Sequence, residues 1–112
     1  MSLTSIQEIC KLNGHTLLVP EGWTKLGIAF STLGQMPING LRIPAEGNTN
    51  GWYLWCGGEP SKAEDFYSPL HVEHIDRHLP QVREYLVLPP GYRFLIDDSG
   101  HQDVWFDEAL LG

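Results

Sequence analysis

The sequence predicts an α+β protein of a single domain, residues 1–112: a mostly antiparallel sheet on which a short N-terminal helix and one proline-divided helix pack. A chain of 112 residues is about one domain in length. Hydrophobic residues make up 42% of it and charged residues 19%, which is typical of folded soluble domains. Short runs of β-forming residues alternate with turn residues along most of the chain, which favours an antiparallel sheet.

The first part of the chain is predicted to form a helix and two strands. Apolar residues at helical spacing in residues 6–10 predict the helix, which Asn13 and Gly14 would end. Residues 15–19 and 25–33 are predicted strands, because both are rich in β-forming residues and a proline- and glycine-containing stretch separates them.

Residues 34–51 are predicted to be a long loop. Nine of these eighteen residues are Gly, Pro or Asn. Asn39 followed by Gly40 is the favoured pair for a two-residue hairpin turn, so a small edge hairpin is expected within the loop. A loop of this length in a compact domain is more often functional or mobile than idle.

Residues 52–56 are predicted to form a central strand, because Trp-Tyr-Leu-Trp-Cys is rich in β-formers and lies between glycines. Tyr53 and Trp55 would face one side of the sheet, and Trp52, Leu54 and Cys56 the other. With bulky aromatic rings on both sides, this strand is either buried on both faces or presents rings to a partner.

The last part of the chain is predicted to hold the divided helix and then a hairpin. Ser68 and Pro69 are typical of a helix start, and Pro80 would divide the helix. Its apolar stripe comprises Val72, Ile75, Leu79, Val82 and Leu86. Residues 92–96 and 103–106 are predicted strands that pair across the turn at residues 97–100.

The net charge indicates which partners are favoured, and the number of cysteines indicates the compartment. A formal net charge of −7 makes binding to nucleic acid or to an anionic membrane unfavourable and attracts a basic protein. Cys10 and Cys56 are too few for a disulfide framework, which favours a reducing compartment. The sequence shows no secretion signal or membrane span, so a cytoplasmic protein is expected.

Two alternatives compete with protein binding. The first is a small metal-dependent or thiol enzyme centred on Cys56 and on His71, His74 and His78, which would line one face of a regular helix. The second is a structural module that forms a homodimer through a sheet edge or through residues 34–51. Three adjacent histidines on a helix rarely form a complete metal site, and no nucleophile motif surrounds Cys56.

Aromatic and acidic residues are concentrated together in residues 51–108, which hold ten of the twelve aromatic residues. Large flat side chains supply contact area at small entropic cost, and carboxylates select basic partners. We therefore expect a protein-binding domain that is not an enzyme and has no cofactor. The predicted partner-binding residues are Trp52, Tyr53, Trp55, Glu59, Asp103, Trp105 and Asp107.

Residues 50–111 resemble the bacterial immunity-protein family thirty-three. The resemblance rests on the aromatic strand GWYLWCGGE, on the proline-divided stretch HIDRHLPQVREYL, and on LPPGYRFLI leading to DVWFDE. Such proteins belong to polymorphic toxin systems. The resemblance implies a cytoplasmic protein that neutralises a cognate toxin by direct binding, without turnover, and it assigns no single residue a role.

Overall fold

Six strands form a sheet in the order β4-β1-β3-β2-β5-β6. The structure is a computed structural model that describes residues 3–112, with side chains from Ile6 onward. The helix α1 spans Leu3–Leu12. The strands are β1 (Lys25–Ile28), β2 (Ile38–Arg42), β3 (Thr49–Cys56), β4 (Ser68–His71), β5 (Tyr92–Ile96) and β6 (Gln102–Phe106). Every neighbouring pair is antiparallel except β1 and β3, which confirms the predicted α+β class.

One face of the sheet forms the hydrophobic core. Its largest buried side chains include Trp52, Tyr92 and Phe94, each at most 1% exposed. The helix α1 and two short 3-10 helices, Val72–Arg77 and Pro80–Tyr85, cover this face. Tyr85, at the end of the second 3-10 helix, stacks on Phe94 with ring centroids 4.9 Å apart.

The opposite face, which we call the open face, carries Leu41, Tyr53, Arg93, Leu95 and Trp105. These side chains are half-buried or exposed, whereas those on the core face of β2, β3 and β5 are buried. Since side chains alternate along a strand, the difference in burial follows from the period of two.

Three predicted elements are confirmed. The N-terminal helix is present, and Asn13 closes it with an Nδ2 that donates to the Ile9 carbonyl. Residues 52–56 lie in β3, one of the central strands. The strands β5 and β6 form the predicted hairpin, and the Asp97 carboxylate stabilises its turn by accepting from Ser99 N, Ser99 Oγ and His101 N.

The long loop predicted over residues 34–51 is wrong, because β2 lies inside it. Asn39 and Gly40 occupy the middle of this strand and do not form a turn. A Cβ on Gly40 would lie 2.2 Å from the Phe94 ring, so the glycine lets that ring pack against the sheet. Asn39 donates from Nδ2 to the Gly57 carbonyl at 3.0 Å.

The helix start predicted at Ser68 and Pro69 is also wrong. Ser68–His71 is the edge strand β4, which pairs with β1, and the segments that follow are 3-10 helices. The predicted division at Pro80 is confirmed, since the preceding Leu79 has φ −138° and ψ 69°. A proline restricts the residue before it to non-helical backbone and therefore separates the two 3-10 helices.

The two strands predicted in the first part of the chain are revised. Residues 15–19 form no strand, although Leu18 N donates to the Val87 carbonyl at 2.8 Å. The next strand ends at Ile28, and a 3-10 helix, Phe30–Thr32, follows it.

Arg42 is a buried cation that fastens two chain segments to the sheet. Its side chain is 2% exposed and donates to the carbonyls of Leu18 at 2.7 Å, Leu88 at 2.8 Å and Asn50 at 2.9 Å. Burial lowers the pKa of Arg42 to about 10. The guanidinium therefore connects β2 and β3 to the stretch before β1 and to the segment that follows the second 3-10 helix.

Candidate partner-binding surface

A continuous row of residues crosses the open face from one sheet edge to the other. The pairing register aligns Pro69, Gly27, Tyr53, Leu41, Arg93 and Trp105, one from each strand. A Cβ on Gly27 would lie 2.7 Å from the Tyr53 ring, so the absence of a side chain there lets the phenol lie over β1. The row therefore presents ring and aliphatic surface in its middle and an indole at its β6 end.

Trp105 is the exposed aromatic residue at that end. Its side chain is 38% exposed, and the Arg93 guanidinium lies 5.8 Å from the ring centroid, within the range of a cation–π contact. Arg93 Nη1 also donates to Asp107 Oδ2 at 3.1 Å. The arginine thus holds the indole and the carboxylate in one arrangement.

Asp103 and Asp107, two of the predicted partner-binding residues, lie two positions before and after Trp105, where the period of two places them on its side of the strand. Asp103 is exposed on β6 and pairs with Leu95 across the hairpin. Asp107 follows the end of β6, and its Oδ1 accepts from Ala109 N at 3.1 Å at the start of the C-terminal 3-10 helix, Glu108–Leu111. An exposed indole between two carboxylates, one of them paired with Arg93, is suited to contact a basic protein surface.

A cluster of aromatic rings lies toward the other end of the row. Tyr67 contacts Tyr53 and Phe66 with ring centroids 5.0 and 4.9 Å apart, and all three side chains are half-buried. Burial raises the pKa of Tyr67, and the neighbouring phenol of Tyr53 raises it by a smaller amount. A shallow depression of about 190 Å³ beside this cluster is lined in part by Lys25 and Pro69.

Two predicted surface residues lie inside the protein. Trp52 is 1% exposed and donates from Nε1 to the Leu86 carbonyl at 2.9 Å, so it is a core residue and not one of the exposed members of the predicted set. Trp55 lies on the open face, as Tyr53 does, but it is only 4% exposed. Its Nε1 donates to the Gly58 carbonyl at 2.8 Å. Glu59 is exposed on the segment that follows β3 and lies off the row.

The histidine face predicted on a helix does not form. His71 is in strand β4, His74 is in the first 3-10 helix, and His78 follows that helix and packs against the Phe30 ring. The rings of His71 and His74 are 5.9 Å apart. Within residues 3–112, no group of three or more His, Cys, Asp or Glu side chains has an arrangement that could hold a metal ion.

Cys56 lies in a buried setting that disfavours its thiolate. The side chain is 3% exposed, and burial raises its pKa, with a partly opposing hydrogen bond from Thr32. Because the thiolate is the reactive form, a buried thiol with a raised pKa is a poor nucleophile. The geometry gives no support to a reaction centred on this residue.

Sequence reasoning missed two residues that shape the surface. Arg93 was not singled out, although the hairpin register places it opposite Trp105 and so makes it a neighbour of the indole. Trp23 is the most exposed of the four tryptophans, at 59%. Its only sequence signal is its place beside proline and glycine, which mark an irregular surface segment.

Comparison with protein families gives one assignment. A family model described as the Imm33-like domain matches residues 5–107. No curated protein and no solved structure matches the chain significantly. None of the helices in the described part of the chain is long and apolar enough to cross a membrane.

Proposed function

The chain belongs to the Imm33-like domain family, and from this membership we propose that it is an immunity protein that binds a cognate toxin and blocks it. The family match over residues 5–107 is the observation that carries this proposal. The toxin is part of a polymorphic toxin system, and the immunity protein acts in the cytoplasm of the cell that makes it. Neutralisation is by stoichiometric binding, with no cofactor and no catalytic step.

The open face supplies the contact surface in this proposal. Trp105 is an anchor whose ring Arg93 already holds in place, so little conformational freedom is lost when a partner covers it. Tyr53 extends the contact along the row, and Asp103 adds charge at its rim. Trp and Tyr are enriched among residues that dominate binding energy, and truncation of one such ring costs on the order of 2 kcal/mol.

The charge of the chain supports a basic toxin. The formal net charge is −7, and the carboxylates of Asp103 and Asp107 flank the exposed indole. Rim carboxylates mainly raise the rate of association with a positive partner, and this effect weakens as salt screens the charges. An acidic binding surface therefore predicts an association rate that falls with ionic strength.

The test is co-expression with the toxin domain that this proposal expects an adjacent gene to encode. Wild-type protein is expected to restore growth and to bind the purified toxin domain. Trp105→Ala is expected to weaken binding roughly 30-fold, which corresponds to about 2 kcal/mol. Asp103→Asn is expected to slow association and reduce its dependence on salt. Glu64→Gln, which removes an exposed carboxylate from the segment between β3 and β4, is the matched control.

Two outcomes separate the parts of the proposal. If wild-type protein neither restores growth nor binds the toxin domain, the proposed function is wrong. If it does both, and folded Trp105→Ala and Asp103→Asn proteins bind as tightly and as fast as Glu64→Gln, the open face is not the contact surface.

A further inference from the structure

A cleft of about 270 Å³ lies between the segment that precedes β1 and the two 3-10 helices that cover the core. Its apolar walls are Val19, Pro20, Val72, Ile75, Leu86 and Val87. Sites for whole small molecules are generally larger, about 300–1,000 Å³. The size and lining of this cleft suit a single apolar side chain.

The rim of the cleft carries exposed apolar surface. Val19, one of its walls, is 68% exposed, and the neighbouring Leu18 and Trp23 are 50% and 59% exposed. Trp23 Nε1 donates to the Glu21 carboxylate, so the indole has its polar group satisfied and its orientation fixed. A fixed and exposed indole beside an apolar cleft is typical of a protein contact surface.

The charges at the mouth are acidic. A Cβ on Gly22 would lie 3.4 Å from Glu73 Oε2, which places this carboxylate at the opening of the cleft. Glu21 lies in the chain between Pro20 and Gly22, which both line the cleft, and its carboxylate accepts from Trp23 Nε1. Arg83 also lines the cleft, but its Nη1 is paired with Asp76 Oδ2 at 2.6 Å. Glu73 Oε1 also lies 3.7 Å from His74 Nε2. The Arg83 charge is thus partnered by Asp76, and the two carboxylates, Glu21 and Glu73, favour a cationic neighbour.

We propose that the cleft is a second contact area for the toxin, which inserts one aliphatic or aromatic side chain with a lysine or arginine beside it. The apolar side chain fills the cleft, and the cation pairs with Glu73 and Glu21 while Trp23 covers the contact from the rim. This inference rests on the proposed function and adds the chemistry of the toxin segment that is recognised. Val72 and Glu73 of the cleft directly follow β4, whose Pro69 starts the row on the open face.

Binding of the purified toxin domain to cleft variants tests this inference by calorimetry at low and high salt. Trp23→Ala and Val19→Asp are each expected to weaken binding at least tenfold. Glu73→Gln is expected to weaken it several-fold at low salt and to flatten the salt dependence. Leu111→Ala, which truncates a side chain 46% exposed on the C-terminal 3-10 helix, is the control and is expected to stay within twofold of wild type.

The outcomes distinguish the cleft from the function. All substituted side chains are exposed, so the variants are expected to keep the thermal midpoint of the wild-type protein, which is measured in parallel. If wild-type protein binds the toxin domain and Trp23→Ala, Val19→Asp and Glu73→Gln bind within twofold of it, the cleft inference is overturned and the proposed function stands. If wild-type protein does not bind, both are overturned.

Discussion

Replacement of Arg42 by methionine is expected to destabilise the protein more than any conservative change on the open face. Methionine keeps the length and most of the apolar stem of the side chain while removing the charge and its donors. The carbonyls of Leu18, Asn50 and Leu88 each lose a hydrogen bond to the guanidinium. The Leu86 carbonyl keeps a donor, because Trp52 Nε1 also bonds to it.

The expected size of the effect follows from two opposing contributions. Hydrogen bonds from a charged donor contribute about 2 kcal/mol each, so the three bonds contribute about 6 kcal/mol. Keeping the cation away from water opposes this, and a pKa lowered from 12.5 to about 10 corresponds to about 3 kcal/mol. The expected loss is therefore about 3 kcal/mol, which for a domain of this size lowers the thermal midpoint by about 12 °C.

Urea unfolding followed by tryptophan fluorescence measures this loss, since Trp52 and Trp55 are buried and change environment on unfolding. Arg93→Met is the matched control. It is the same substitution on the neighbouring strand, but Arg93 and Asp107 are both 30% exposed, so the loss of their ion pair is expected to cost no more than about 1 kcal/mol. Equal losses for the two variants would refute the argument that burial and carbonyl contacts make Arg42 structural.

Two further predictions concern packing and alkaline stability. Gly40→Ala is expected to lower the free energy of unfolding in urea by at least about 2 kcal/mol, because its Cβ would lie 2.2 Å from the Phe94 ring. The control, Gly58→Ala, is expected to be nearly neutral, since the space around Gly58 is open. Equal effects of the two substitutions would contradict this packing. Burial raises the pKa of both Tyr85 and Tyr92 to about 12. As the pH rises, these phenols therefore lose their protons in the unfolded chain before they lose them in the folded protein. The free energy of unfolding is expected to fall as the pH rises from about 10 toward 12. Tyr92→Phe is expected to make that fall shallower in urea titrations at pH 9, 10 and 11, and an unchanged slope would contradict the assignment.

The sequence predicted those elements whose signals are local. Tyr92–Ile96 and Gln102–Phe106 are β-rich on both sides of an Asp-Asp-Ser-Gly turn, and the turn chemistry alone closes the hairpin. The central strand β3 follows in the same way from its dense β-formers. These features need no knowledge of what packs above or below them.

The two wrong predictions of secondary structure occur where the same local sequence pattern is compatible with two kinds of element. Asn39 and Gly40 favour a tight turn when considered alone, but the ring of Phe94, far along the chain, requires a residue without a side chain at position 40. Ser68 and Pro69 favour a helix start, yet proline is also tolerated in an edge strand such as β4, where no further strand needs its missing N–H. Long-range pairing decided both cases.

The surface was predictable only in part for the same reason. Strand alternation correctly placed Tyr53 and Trp55 on the face opposite Trp52, but it could not show that Trp55 would be covered, with its Nε1 bonded to the Gly58 carbonyl. Strand alternation also could not show that Trp52 would be buried and bonded to the Leu86 carbonyl, or that Trp23 would remain exposed. The exposure of each indole depends on segments distant from it in the sequence.

The two exposed tryptophans, Trp23 and Trp105, are each held in one orientation by a charged neighbour. Arg93 lies against the Trp105 ring, and Glu21 accepts from Trp23 Nε1, so a charged neighbour orients each ring in the free protein. Ordering a side chain before binding reduces the entropy that binding must overcome, and this raises affinity without any new contact. Removing the orienting group while keeping the ring tests this. Glu21→Ala removes both the orientation of the indole and the pairing of this carboxylate with the toxin cation, and high salt screens the second effect. In calorimetry at high salt, Glu21→Ala is therefore expected to weaken toxin binding less than Trp23→Ala does, mainly through loss of preorganisation.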